Sequence, residues 1–195
     1  MAQQEIARAL LDVYKQCGSD CHVVFVSQSL GCQVLSNFIY DGQKAKTGGA
    51  VSAGIWRDLA HTKLVLGGLD KPAMLAAMPA ILAFLRAETC MAWVTTGCNI
   101  PIFAAAHKNI QPILRPNGSP TFKWLNLYDP DDVLGWPLQP LSPGYGELVE
   151  DRAINSGQGA VDWILRSWNP LSHTTYWTDN DVVKPLADLL RGLLA

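Results

Sequence analysis

The chain is poor in charge and has no long basic run. Across 195 residues, 15 Lys and Arg stand against 17 Asp and Glu, a formal charge of −2 at pH 7. A nucleic-acid binder held by phosphate contacts is therefore not expected. Long apolar runs are also lacking. The longest, Ala73 to Leu85, is interrupted by Pro79 and is too short for a hydrocarbon core about 30 Å thick, so no membrane span is expected. The opening Met1-Ala-Gln-Gln-Glu-Ile has neither a basic n-region nor an apolar h-region, which argues against a signal peptide. Cysteines are few and odd in number: Cys17, Cys21, Cys32, Cys90 and Cys98. Reduced thiols in a cytoplasmic protein fit that count better than a disulfide framework. Cys17-x3-Cys21-His22 has no second Cys/His pair at matching spacing, so neither a zinc site nor another cofactor is expected. No repeat of about 34 or 40 residues suggests a solenoid. No Gly-x-Gly-x-x-Gly follows a candidate strand, which removes a dinucleotide site.

What is present is apolar bulk. The chain is 49% hydrophobic and 16% charged, enough for a buried core in a single domain over residues 1–195 and unlike a disordered segment. Gln3 to Gln16 places Ile6, Leu10, Val13 and Tyr14 at helical spacing, and Gly18 follows. His22 to Ser27 is a short β-branched and aromatic run, read as a parallel strand buried on both faces. Helical spacing returns from Ser29 to Tyr40. Gly42 to Gly54 reads as an exposed connection, and 73–86 as a helix bent or broken near Pro79. Met91 to Thr96 and Phe122 to Tyr128 are the second and third strand candidates, and Asp181 to Leu194 closes the chain as a helix. Residues 104–120 and the Pro- and Gly-rich stretch to Gly146 read as loop. Helices alternating with short buried strands predict an α/β fold, a mostly parallel sheet flanked by helices.

The most informative stretch is Val23-Val-Phe-Val-Ser27-Gln28-Ser29-Leu30-Gly31-Cys32. A serine between a buried strand and a helix, with small residues two before and two after, fits a nucleophile elbow. The tight turn demands small neighbours so that strand and helix can approach. A serine capping the helix is the plainer reading of the same residues.

At this turn the sequence resembles the α/β-hydrolase superfamily, especially its lipase- and esterase-like members. Ser27 stands where the first Gly of Gly-x-Ser-x-Gly is usual, and Gln28 where His is common. The resemblance implies a triad in the order nucleophile, acid, histidine. Of the four histidines, His22, His61 and His107 precede the acid cluster, which leaves His173. Asp132-Val133-Leu134 matches the acid followed by two apolar residues, so Asp132 is the first choice, Asp131 the second and Asp129 the third. Asp-Pro-Asp-Asp is equally good turn chemistry, and a calcium loop would want the Gly and distal Glu that are missing here.

The resemblance therefore implies a hydrolase of carboxylic esters working through an acyl-enzyme on Ser29. His173 would be the base, Asp132 its orienting acid, and the Leu30 backbone N–H an oxyanion donor. Residues 42–90 match nothing in the family and would form a cap or lid. In that family several strands precede the elbow, so Ser29 this early implies an N-terminally truncated sheet. A second copy or a partner chain would then cover the exposed edge. The aromatic C-terminal half (Trp124, Trp136, Trp163, Trp168, Trp177) would line an acyl pocket or belong to the core. The alternative function is a hydrolase-like interaction or regulatory protein without turnover.

Overall fold

The computed structural model describes residues 2–51, 54–57, 71–155, 173 and 176–194. They belong to two compact units. One draws on Met1–Val23, Val34–Cys90 and Ile113–Pro120, the other on Val24–Gln33, Met91–Pro112 and Thr121–Ala195. The fold is α/β. Strands β1 (Val23–Gln28), β2 (Cys90–Thr96), β3 (Lys123–Tyr128) and β4 (Val149–Ala153) lie side by side in chain order in one parallel sheet, with helices flanking it.

In the first unit, helix α1 (Ala2–Cys17) buries Ala7, Leu10 and Leu11, while Val13 is more than one-third exposed. The stripe is thus rotated slightly from the one read in the sequence. Helix α2 (Leu30–Lys46) runs past the predicted end at Tyr40. Gly42 is therefore a buried helical residue and not part of an exposed connection. Its missing side chain makes room for Trp56 of the short helix α3 (Gly54–Arg57): a Cβ here would stand 2.9 Å from the indole Cη2. Trp56 also packs on Phe38 with ring centroids 4.9 Å apart, and its Nε1 donates to Gln3 Oε1 at 3.1 Å. Helix α4 (Lys71–Leu85) is continuous through Pro79. Pro79 itself is exposed. Tyr14 meets Phe84 edge-on at 5.6 Å, fixing α1 against α4. Residues 52–53 and 58–70 of the expected cap lie outside the described residues.

In the second unit the sheet separates two kinds of chemistry. In the β2–β3 register Trp93 faces Trp124, and their rings stack with centroids 4.1 Å apart. Thr95, Asn126 and Asp151 are successive register partners on that same face. Thr95 Oγ1 donates to Asn126 Oδ1 at 2.7 Å, and Asn126 Nδ2 donates to Asp151 Oδ1 at 2.8 Å, a polar ladder across three strands that is buried at Thr95 and Asn126. Val94, Leu125 and Leu127 face the other way, into a cluster with Tyr176 and with Val182 of helix α7 (Asn180–Leu194). Leu186 and Leu189 pack against that cluster, while Val183 and Leu190 stay exposed, so the inward face of α7 is narrower than its sequence suggests. Strand β1 is only half-buried and Val26 is exposed, contrary to burial on both faces; the strand lies at the sheet edge. Helices α5 (Ile100–Ala104) and α6 (Pro143–Leu148) each begin with proline in the first turn, where its absent N–H costs nothing. Among the described residues no helix is long and apolar enough to cross a membrane.

Candidate functional site

Ser29 stands between β1 and α2 with φ +52, a left-handed conformation that few residues other than glycine adopt. Two backbone bonds hold it there. Its N–H donates to the Thr96 carbonyl at 3.1 Å, and its carbonyl accepts from Cys32 N–H at 2.9 Å. The small neighbours have distinct roles. A Cβ on Gly31 would meet Ser27 Cβ at 3.9 Å, an ordinary contact, so the turn is less crowded than the elbow pattern implies. Ser27 uses its hydroxyl: Trp93 Nε1 donates to it at 2.8 Å, and it donates to Cys32 Sγ at 3.3 Å. Serine in the usual glycine position thus gives a buried indole its partner.

The structure brings Ser29, His173 and Asp132 into one hydrogen-bonded chain. His173 Nε2 lies 2.7 Å from Ser29 Oγ, and Nδ1 lies 2.8 Å from Asp132 Oδ2. An ionised carboxylate only accepts, so Nδ1 carries the proton and Nε2 is free to accept from the serine hydroxyl. The Asp132 side chain is fully buried and that of His173 is 14% exposed. Two further donors serve the buried Asp132 carboxylate. Leu134 N–H donates to Oδ1 at 2.9 Å, and the Tyr176 hydroxyl donates to Oδ2 at 2.9 Å. Burial first, then the Asp132 and Asp129 carboxylates, push the Tyr176 phenol well above its ordinary range, and this keeps it a neutral donor. Asp131 is exposed and stands outside the chain of bonds. Asp129 is buried, but its Oδ1 accepts from Asp131 N–H at 2.8 Å and so serves the turn. Within Asp-Pro-Asp-Asp, Asp129 thus serves the turn while Asp132 meets His173.

The carboxyl ends of β1, β2 and β3 supply Ser29, Gly97 to Asn99, and Asp132. In open parallel sheets this is the end where ligands bind. Gly97 and Gly135 let the acid approach. A Cβ on Gly97 would stand 3.1 Å from both Asp132 Oδ2 and His173 Cε1, and one on Gly135 would stand 2.5 Å from Asp132 Oδ2. Asn99, 9% exposed, spans the Ser29–Leu30 peptide when its amide is oriented to satisfy both neighbours. Nδ2 then donates to the Ser29 carbonyl at 2.9 Å, and Oδ1 accepts from Leu30 N–H at 3.3 Å. The expected oxyanion donor thus already faces a side-chain oxygen.

Sequence reasoning assigned no role to Tyr176, Gly97, Gly135 or Asn99. Only Tyr176 carried a signal, lying three residues beyond His173 in the sequence. Of the tryptophans, Trp124 is core, Trp136 and Trp177 are nearly half exposed, and Trp163 and Trp168 lie outside the described residues. Among the described residues, no group of three His, Cys, Asp or Glu is arranged to hold a metal ion. No family model matches the chain, and no match is found among curated proteins or solved structures.

Proposed function

We propose that this chain is a serine hydrolase of carboxylic esters, of the α/β-hydrolase type. The observation that carries the reading is the Ser29–His173–Asp132 chain of bonds at 2.7 and 2.8 Å, with Ser29 on a left-handed strand-to-helix turn. Free serine is a weak nucleophile at neutral pH. His173 Nε2 would take the hydroxyl proton as Oγ attacks the ester carbonyl. The same nitrogen would then return that proton to the departing alcohol, leaving an acyl-enzyme. Water, deprotonated by His173 in turn, would attack the acyl carbon, and His173 would return the proton to Ser29 Oγ as its bond to the acid breaks. Asp132 holds the tautomer throughout and stabilises the imidazolium as it forms. None of the five cysteines is in a disulfide, which accords with a reducing compartment such as the cytoplasm.

One observation favours a second reading, an interaction or regulatory protein that does not turn over ester. Leu30 N–H is in contact with Asn99 Oδ1, and losing one oxyanion donor costs on the order of 100- to 1000-fold in rate. Turnover of a short aryl ester decides between the two. A hydrolase gives steady release that disappears in His173→Ala, whereas folded protein without turnover, or turnover unchanged in His173→Ala, supports the second reading.

A further inference from the structure

We infer that Gln28 is a positioning residue that ties the segment carrying His173 to the turn carrying Ser29. The inference rests on the hydrolase reading and adds a residue to it. Gln28 is the last residue of β1 and the immediate neighbour of Ser29. Its Nε2 donates to the His173 carbonyl at 2.6 Å, and its Oε1 accepts from Trp177 Nε1. One planar amide therefore grips the chain on both sides of Tyr176. It holds the backbone of the very residue whose ring meets Ser29.

The chemistry selects the residue type. The amide of glutamine offers a donor and an acceptor on one rigid plane without charge, and so can serve both partners at once. A carboxylate in its place could accept from the indole but would oppose the His173 carbonyl with like partial charge. Methionine, of similar length, could do neither. Among the described residues the His173 ring also meets Asp132 at Nδ1, Ser29 at Nε2, Gly97 beside Cε1 and the edge of Tyr176 at 6.3 Å between centroids. Those contacts orient the ring. The Gln28 amide fixes the main chain from which the ring projects. A shift of about 1 Å between reacting groups costs on the order of 100-fold.

The test compares wild type, Gln28→Met and Trp177→Phe by fluorophosphonate labelling, recording both the rate constant and the final stoichiometry. Proton NMR follows the downfield Nδ1–H resonance of His173 in the same proteins. A positioning role predicts full stoichiometry in Gln28→Met, with a rate constant lowered on the order of 10- to 100-fold and the resonance moved or broadened. Trp177→Phe, which spares the Nε2 bond, falls between wild type and Gln28→Met and serves alone if Gln28→Met does not fold. Rates equal to wild type, or stoichiometry that falls with no change in rate constant, overturn the inference. If wild type itself does not label, the hydrolase reading fails. The resonance then still decides for Gln28: unchanged in both variants, it overturns the positioning role.

Discussion

Asp132 is bonded on both carboxylate oxygens: Leu134 N–H reaches Oδ1, while His173 Nδ1 and the Tyr176 hydroxyl share Oδ2. Replacing it by asparagine keeps the shape but offers an N–H where only an acceptor serves, which favours the tautomer that cannot accept from Ser29. Asp132→Asn should slow ester turnover on the order of 10,000-fold. Asp131→Asn, one residue away and exposed, should leave kcat within about twofold, because surface changes away from such features have small effects. Comparable losses in the two variants would show that the acid is misassigned. The sequence allowed this choice only through the two apolar residues after Asp132. Nothing in it indicated that Gly97 and Gly135 must stay bare, because that demand comes from residues distant in the chain meeting in space.

Among the elements, those with a strong period were readable. Helices α1 and α7 showed a 3.6-residue stripe, and β1, β2 and β3 showed compact β-branched and aromatic runs. Strand β4 was not readable. Its sequence Val-Glu-Asp-Arg-Ala has one buried apolar residue, so neither alternation nor a hydrophobic run marks it. Its value lies in Asp151, which accepts from Leu138 N–H at 2.8 Å, Gln139 N–H at 2.7 Å and Asn126 Nδ2 at 2.8 Å. This anchors the far end of the loop that begins at Asp129. Helix α2 was read short for the opposite reason: Gly42 looks like a helix end until Trp56 is seen to need its space. Asp151→Ala would take this acceptor from three donors, one of them open to water, and it is expected to cost about 1–3 kcal/mol in urea unfolding. A change below about 0.5 kcal/mol would mean that the ladder does not anchor the loop.

For the whole molecule, pH and the proposed chemistry give separate tests. Burial raises the Tyr145 and Tyr176 phenols above their ordinary value near 10. The folded chain therefore keeps protons that the unfolded chain releases above about pH 10. The resulting stability is fully present below that pH and is lost as pH climbs toward the folded values. Urea midpoints should fall between about pH 10 and 11, and less steeply in Tyr176→Phe than in wild type. An equal fall in both proteins would remove Tyr176 from that balance. The functional claim rests on Ser29 being a nucleophile, and covalent labelling tests it most directly. Folded protein treated with a fluorophosphonate should gain one adduct, mapped to Ser29 by peptide mass spectrometry and absent from Ser29→Ala. Folded wild type without an adduct, or labelling that persists in Ser29→Ala, would contradict the account.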